Sequence, residues 1–236
     1  MSPRRARVLR DQGASDSPGA LRRHLIDVTQ RLLAAHGAAG LTTREIAREA
    51  HVADGLLYNH FAGKDDLVVT ALVERAAELV EAFLAALPEP GTGTLEENLH
   101  GLAKAVLELT AQAVPLVTGL LGQAALLGRL LDDIHDIHDT RVGHVGPQAA
   151  FAAAVGYVRA EQGLGRAAAD VEAAAVVELL FGACVSRAFV GQLGEREMAV
   201  PAVTTEALVG VLLRALQGPG TAAPSSPRVG DRPDRR

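Results

Sequence analysis

Residues 40–67 read GLTTREIAREAHVADGLLYNHFAGKDDL, and this stretch determines the predicted fold of the N-terminal part of the chain. Thr42 is followed three positions later by Glu45, which is the capping-box spacing that begins a helix. The helix predicted from there runs to about Ala50, with an apolar face that includes Ile46. A turn and a second short helix follow. This arrangement is typical of a helix-turn-helix, which places a short helix in the major groove of DNA.

The second helix of this stretch is predicted at about residues 53–61. Leu57 and Phe61 are four positions apart, so they share its inner face. Lys64 begins the next helix, where its ammonium group and the helix N-terminus both favour a phosphate. Three side chains that suit phosphate oxygens lie at the exposed end of the second helix: Tyr58, Asn59 and His60.

Together with the helix before it, this segment resembles the DNA-binding domain of TetR-family transcription regulators over about residues 20–87. In two places the chain departs from the usual family pattern. The family usually has Gly in the turn, where His51 stands here, and we expect a left-handed backbone at that residue. The family often has Ser or Thr at the start of the recognition helix, where this chain has Ala53 and the acidic Asp54. The resemblance is carried by L-T-T-R-E-I-A at 41–47, L-Y-N-H-F at 57–61 and K-D-D-L at 64–67.

The resemblance implies that two copies of the second helix enter successive major grooves of a near-palindromic site. Arg44 is the candidate for guanine readout, because its guanidinium can form two parallel hydrogen bonds with that base. The residues expected to hold the DNA backbone are Thr42, Thr43, Tyr58, His60 and Lys64. Those expected to face the bases or the groove floor are Arg44, Asp54, Gly55, Leu56 and Asn59.

Composition and charge agree with an all-α, DNA-binding protein. Alanine and leucine are abundant in the 236 residues and aromatic residues make up 3%, which favours helices. The net charge is −5, but it is unevenly distributed. Residues 1–70 carry ten Lys and Arg against eight Asp and Glu, whereas residues 71–217 carry nine against eighteen. The basic excess therefore coincides with the helix-turn-helix, and its small size favours a dimer with two such surfaces.

Hydrophobic periodicity and helix breakers divide the chain into four predicted parts, with a helix at 65–87 that bridges the second and third. The N-terminal arm is interpreted as disordered, and a role in the adjacent minor groove is the alternative. The parts are a disordered basic arm at 1–18, a helix-turn-helix DNA-binding domain at 19–66, a ligand-binding and dimerisation domain at 67–217 and a disordered tail at 218–236.

The third part is predicted to be a helical bundle. Thr94 and Glu97 have capping-box spacing at the start of its first helix, which is expected to break or restart at Pro115. Pro147 suits the first turn of a later helix. The expected helices run over about 94–114, onward from Pro115 to 131, 147–163, 170–192 and 201–217.

In the resemblance, such a bundle binds a small effector between its middle helices and dimerises through its last two. The wall residues available favour a largely apolar effector, although the same residues could simply form the core. The candidate pocket residues are Phe83, Leu109, Leu120, His138, Phe151 and Phe181. The candidate dimer residues are Leu179, Gly182, Phe189, Leu208, Val211 and Leu212.

A second cluster, DDIHDIHDTRVGH at 132–144, supports an alternative function. His135 has His138 at i+3 and Asp139 at i+4, so these side chains could share a helix face and hold a divalent metal in a helical hydrolase. Solvated, Asp-rich helix ends are common, and a polar pocket wall or a connecting segment is the preferred interpretation. We therefore predict no catalytic residues, no metal and no cofactor.

The remaining features bear on location. Cys184 is the single cysteine and lies in an apolar helical run, which indicates a buried thiol. No signal peptide and no uninterrupted apolar run of about 20 residues is seen, so a cytoplasmic protein without membrane contact is expected.

The function predicted is a homodimeric, ligand-responsive regulator that is released as a repressor from a palindromic operator. A helical bundle that only binds other proteins is a third possibility, which leaves Tyr58 to Lys64 unexplained.

Overall fold

The fold is described from a computed structural model of the chain. The structure describes residues 18–38, 40–140, 147–193 and 203–217, and the side chains of residues 135–140, Pro18 and Pro147 are not considered. The predicted arm and tail therefore lie outside the described residues, apart from Pro18, which begins the first helix.

All regular structure in the described residues is helical, which confirms the predicted fold class. A 3-10 helix, named here the reading helix, occupies Asp54–Asn59. The α-helices are α1 Pro18–His36, α2 Thr43–Glu49, α3 Lys64–Ala86, α4 Leu95–Thr118, α5 Ala124–Thr140, α6 Pro147–Gly163, α7 Ala173–Leu193 and α8 Thr205–Gln217.

The helices form a head and a bundle that share α3. The head consists of α1, α2, the reading helix and the first half of α3, and the bundle consists of the rest of α3 with α4–α8. Helix α4 is central in the bundle, where it packs against α3, α7 and α8. The core of the head also takes three buried leucines from the α4–α5 turn and α5: Leu120, Leu126 and Leu130.

Helix α2 is bounded by the signals that the sequence contains. The Thr42 hydroxyl accepts a hydrogen bond from the Glu45 N–H at 3.2 Å and caps its start. At its end, His51 has φ +55°, which confirms the predicted left-handed backbone. The His51 N–H donates to the Arg48 carbonyl, and the Val52 N–H donates to the Ala47 carbonyl. These two bonds form a Schellman motif, which fixes the turn before the reading helix.

Helix α4 does not break at Pro115, contrary to the prediction. It continues for one more turn and ends at Thr118. Proline has no N–H to donate to the Ala111 carbonyl, so the helix loses one backbone hydrogen bond there. The last turn is nevertheless closed by bonds at the helix end. The Thr118 hydroxyl donates to the Val114 carbonyl at 3.0 Å, and the Gly119 N–H donates to the Pro115 carbonyl at 3.0 Å. The capping box predicted for Thr94 and Glu97 is present in full.

The later helices shift from their predicted bounds for reasons of capping. Helix α7 begins at Ala173 rather than at about 170, because the Glu172 carboxylate accepts from the Ala174 N–H at 3.2 Å. Helix α8 begins at Thr205, where the Thr204 hydroxyl accepts from the Ala207 N–H at 3.2 Å. Pro201, the predicted start of that helix, lies outside the described residues.

A buried carboxylate joins the α3–α4 turn to α6 at the end of the bundle farthest along α3 from the head. Glu161 Oε1 accepts from the Tyr157 hydroxyl at 2.8 Å, the Gly91 N–H at 3.2 Å and Asn98 Nδ2 at 3.3 Å. Arg166 Nε lies 3.0 Å from Oε2. Burial alone would raise the pKa of Glu161, but these hydrogen bonds and the arginine charge outweigh it and lower that pKa.

Helix α7 is the most apolar helix among those described. By length and composition it could cross a membrane, and it is interrupted by only two charged residues, Glu178 and Arg187. One side of it, including Val177 and Leu180, packs in the bundle core. Cys184 lies on the same side and is fully buried, as predicted, and burial raises its pKa to about 11. Along this side α7 packs as part of the bundle core, while the rest of the helix is half-buried or exposed.

Candidate nucleic-acid interface and ligand cavity

The reading helix is shorter and tighter than the predicted helix at 53–61. It spans six residues in 3-10 geometry, and the N–H groups of His60 and Phe61 both donate to the Leu57 carbonyl to close it. Leu57 and Phe61 point into the head core, as their spacing requires. Tyr58 lies between them in sequence and is 59% exposed, so it points away from that core.

None of the ten residues predicted to contact DNA is buried. They come from α2 with its cap, from the reading helix and its end, and from the first turn of α3. Six are exposed: Thr42, Arg44, Asp54, Gly55, Tyr58 and Asn59. Four are half-buried: Thr43, Leu56, His60 and Lys64.

Two ion pairs reduce the positive charge of this surface. Arg44 Nε lies 3.8 Å from Asp54 Oδ2, and the Arg44 side chain is 88% exposed. Lys64 Nζ lies 3.8 Å from Asp65 Oδ1. Exposed pairs at these distances are weak, so both cations remain available to another anion.

Contacts from behind hold the reading helix, and the sequence reasoning did not identify them. Asp66 Oδ2 accepts from the Ala62 N–H at 2.8 Å, which fixes the loop that follows the reading helix. Asp66 Oδ1 also lies 3.9 Å from Arg129 Nη2 on α5. The Arg22 guanidinium lies 5.1 Å from the centre of the Phe61 ring. Asp66 could have been found from its place in the first turn of α3, whereas the contacts of Arg22 and Arg129 depend on tertiary structure.

A cavity of about 690 Å³ lies in the bundle between α3, α4, α5, α6 and α7. Three of the predicted pocket residues line it: Leu109, Phe151 and Phe181. Phe83 is buried behind the wall, with its ring centre 6.2 Å from that of Phe181. Leu120 belongs to the head core instead, because the α4–α5 turn folds back onto the head. The side chain of His138 lies outside the described residues.

The walls of this cavity are almost entirely hydrocarbon. No charged side chain of the described residues lines it. Its two threonines are occupied by their own helix, since the Thr110 hydroxyl donates to the Val106 carbonyl at 2.8 Å and that of Thr118 to Val114. Phe151 and Phe181 meet edge to face at 5.7 Å. Such walls favour an apolar ligand.

The candidate dimer residues differ in exposure. Leu179 is 66% exposed, and Gly182, Phe189 and Val211 are also exposed, whereas Leu208 is half-buried against the core. Leu212 is 2% exposed and lies in the bundle core. It shares the inner stripe of α8 with Val209 and Leu216, at helical spacing, while Val211 lies on the other side.

The histidine and aspartate cluster at 132–144 is described only at its start. Asp132 and Asp133 are exposed on α5, and the described residues contain no group of His, Cys, Asp and Glu that could hold a metal ion. His135, His138 and His144 lie outside the described side chains, so the hydrolase alternative stays a prediction.

Comparison with known proteins agrees with this geometry. Residues 25–71 match the family described as bacterial regulatory proteins, tetR family. The HTH-type transcriptional regulator Rv1816 of Mycobacterium tuberculosis is 27% identical over 82 residues, which is 35% of each chain. The match therefore spans about a third of that curated relative.

Solved structures resemble the chain over most of its length. A Mesorhizobium loti protein assigned to the TetR family superimposes with a TM-score of 0.59 at 16% identity, covering 83% of this chain and 96% of that one. FadR from Bacillus subtilis, solved in complex with stearoyl-CoA, gives 0.52 at 16% identity, covering 84% and 99%. These likenesses show the fold of the head and the bundle together.

Proposed function

We propose that the chain is a TetR-family transcription regulator with a helix-turn-helix DNA-binding head, and that it is a homodimeric repressor released from its operator by a largely apolar effector. The observation that carries this proposal is the combination of an exposed reading surface with a large apolar cavity on one continuous helix, α3. A regulator of this kind needs both sites and a connection between them.

On the DNA side, the proposal assigns two roles. Thr42, Thr43, Tyr58, His60 and Lys64 would hold phosphates, while Arg44, Asp54, Gly55, Leu56 and Asn59 would face the groove. The exposure of Tyr58 beside the inward Leu57 supports the first role. The Arg44–Asp54 pair supports the second, because it lies beside the reading helix and is weak enough for a base to replace Asp54 as the partner of the arginine.

The dimer would form through the outer faces of α7 and α8. Exposed apolar side chains on these two helices support this, since an apolar surface of this kind on a regulatory domain marks an interaction site. A twofold axis there would place the two reading helices for a palindromic site. The residues proposed for the contact are Leu179, Gly182, Phe189 and Val211, with Leu208 at its edge, and Phe189 also lines the large cavity.

The effector would bind in the cavity of about 690 Å³, which lies within the usual range for ligand pockets of about 300–1,000 Å³. The hydrocarbon lining supports a ligand with a long apolar part. The structurally similar FadR of Bacillus subtilis binds stearoyl-CoA, which supports testing an acyl chain.

Shared wall residues would couple the cavity to the head. Leu72 and Leu130 line the cavity and are also buried in the head core, and Leu116 and Ile134 line the cavity and pack against that core. A ligand that displaces these side chains would alter the packing behind the reading helix. It would shift DNA affinity only as far as it binds the two arrangements differently.

Fluorescence anisotropy on a library of palindromic duplexes tests the proposal. We expect a specific site whose affinity falls as salt is raised, because phosphate contacts release counterions. Stearoyl-CoA, added as a probe, should lower the affinity for that site. Binding no tighter than to random duplexes would contradict the regulator proposal, and unchanged DNA binding with bound probe would contradict the repressor mechanism.

The double substitution Tyr58→Phe with Lys64→Gln separates the two proposed roles. We expect weaker binding to all duplexes alike and a shallower salt dependence, because phosphate contacts carry little sequence information. Lys104→Gln on α4 removes an exposed lysine of the bundle and serves as the matched control. If the double variant bound DNA like the control, these two residues would leave the list of backbone contacts.

A further inference from the structure

A second, smaller cavity of about 230 Å³ lies between α1, α3 and the end of α4, and it differs from the first in its charge. Arg31 of α1 and Arg75 of α3 both line it, together with Gln30 and apolar side chains. No acidic residue lines it among the described residues. Leu72 and Leu116 line both cavities, so the two cavities adjoin at this pair of leucines.

The guanidinium of Arg75 is held in place at this cavity. Its Nη1 donates to Glu78 Oε2 at 2.9 Å, and its Nη2 donates to Gln112 Oε1 of α4 at 2.6 Å. These two bonds leave the Nε–H and the remaining N–H groups of the fork for another acceptor. Arg31 has no carboxylate within ion-pair distance among the described residues. One anchored and one unpaired arginine thus face the same small space.

The described lining of the large cavity offers no charged partner to a charged group. Both of its threonine hydroxyls are already bonded to backbone, and Gln148 is the one other polar side chain in that described lining. An ionised group moved from water into such surroundings would lose its hydration without gaining a charged partner, which is strongly unfavourable. A ligand that carries a charge must therefore keep that charge outside the large cavity while its apolar part fills it.

We propose that the effector is an anionic amphiphile, whose hydrocarbon chain fills the large cavity and whose carboxylate or phosphate lies in the small cavity between Arg31 and Arg75. This inference rests on the effector site proposed above and adds the chemical class of the ligand. Arginine suits the role because its planar fork binds carboxylates and phosphates through two hydrogen bonds.

This position of the anion also has a regulatory consequence. Arg31 belongs to α1, which packs against α2 in the head, whereas Arg75 belongs to α3. The two helices are already joined beside the small cavity, where Gln30 Nε2 donates to the Ala71 carbonyl at 3.2 Å. An anion bound by both arginines would add a second link between α1 and α3. The charged group of the ligand would therefore act on the head directly. Its hydrocarbon chain would act through Leu72 and Leu116, which line both cavities.

Three probes of matched chain length test the proposal on the full chain by calorimetry, below the concentrations at which they form micelles: palmitate, palmitoyl-CoA and hexadecanol. We expect the anionic probes to bind at least about 10-fold more tightly than the alcohol, which is the effect of hydrogen bonds to a charged group. Palmitate and palmitoyl-CoA differ in their headgroup, so the tighter of the two identifies whether a free carboxylate or a larger phosphate-bearing group is preferred.

The combined variant Arg31→Gln with Arg75→Gln should bind palmitate as weakly as hexadecanol, with the affinity for hexadecanol unchanged. Arg75→Lys keeps the charge without the fork and should keep part of the preference. Arg159→Gln, which removes an exposed arginine of α6, is the matched control and should bind like the unmodified chain. Thermal unfolding monitors whether each variant is folded.

The outcomes separate this inference from the proposed function. Equal affinity for palmitate and hexadecanol in the unmodified chain would overturn the anionic class but leave an apolar effector. A preference for the anion that survives the double arginine variant would overturn the site in the small cavity. If none of the probes bound a folded, DNA-binding protein, the effector proposal itself would fail.

Discussion

The head and the bundle both have a core of buried leucines, but they differ in which of their parts are held by polar contacts. In the head, the Thr42 cap, the His51 turn and the Asp66 carboxylate fix the elements on each side of the reading helix. In the bundle, the Glu161 network fixes only the far end, and the middle is lined by apolar side chains around a large cavity. Apolar packing is not directional, so this middle region can rearrange at lower cost. A shape change driven by a ligand should therefore be concentrated there.

The largest loss of stability is expected when the Glu161 network at the far end of the bundle is broken. Glu161→Ala leaves Tyr157, Asn98 and Arg166 without their shared acceptor and should lower the free energy of unfolding by about 3–5 kcal/mol, as for other buried pairs that lose one partner. The midpoint of urea unfolding measures it. Glu108→Ala removes an exposed carboxylate that pairs with Lys104 and, as the control, should cost less than about 1 kcal/mol.

The stability that Glu161 contributes to the folded chain depends on pH in a defined direction. The pKa of Glu161 is lowered in the folded chain, so its contribution is present above the unfolded pKa of about 4.3 and is lost as the pH falls through the folded value. The stability difference between the unmodified chain and Glu161→Ala should therefore shrink in acid. A difference that stays constant down to that range would show that the carboxylate is not ionised in the folded chain.

Sequence patterns predicted the head well because its determinants are local. The cap at Thr42, the left-handed turn at His51 and the inward pair Leu57 and Phe61 all depend on neighbours within five residues. The bundle depends on contacts between distant segments, so periodicity alone could not assign them. It predicted Leu120 to face a ligand although the α4–α5 turn buries it in the head.

At the candidate sites too, sequence patterns predicted local features but not contacts between distant segments. The residues proposed to contact DNA follow one another along the chain and are all accessible at the surface. The cavity is lined by five helices, and periodicity could not distinguish a wall residue such as Phe181 from a core residue such as Phe83 one shell behind it. The inner position of Leu212 was equally hidden, because α8 carries leucines on more than one side.

A cavity in the head core should be nearly as costly as the loss of Glu161, and it should also remove function. Leu57→Ala deletes a fully buried side chain beneath the reading helix and should cost about 2–5 kcal/mol. DNA affinity should fall at temperatures where the protein is still folded, because the reading helix loses its support. Leu180→Ala makes the same change in the bundle core and should lower stability similarly with far less effect on DNA binding. Equal losses of DNA binding would contradict the division between head and bundle.

A smaller loss of DNA affinity is expected when Arg44 is replaced, a change that disturbs neither hydrophobic core. Arg44→Ala should weaken binding by about 1–3 kcal/mol at sites that carry a guanine at one position and relax the preference there. Stability should hardly change, since the side chain is exposed and its pair with Asp54 is weak. Asp54→Asn breaks the same pair while keeping the arginine, and the two variants compared on one duplex library separate base contact from pairing. A uniform loss across all sequences would reassign Arg44 to the phosphates.

The smallest expected effect concerns the turn that fixes the reading helix. His51 holds φ +55° as the left-handed residue of the Schellman motif after α2, a conformation in which a Cβ is strained and glycine is not. His51→Gly removes that strain but adds freedom to the unfolded chain, so the net gain in stability should be at most about 1 kcal/mol. His51→Val, with a branched side chain, should destabilise instead. Urea unfolding of the three proteins gives the order Gly, His, Val if the turn is the rigid element described, whereas equal midpoints would mean that the turn yields to the side chain.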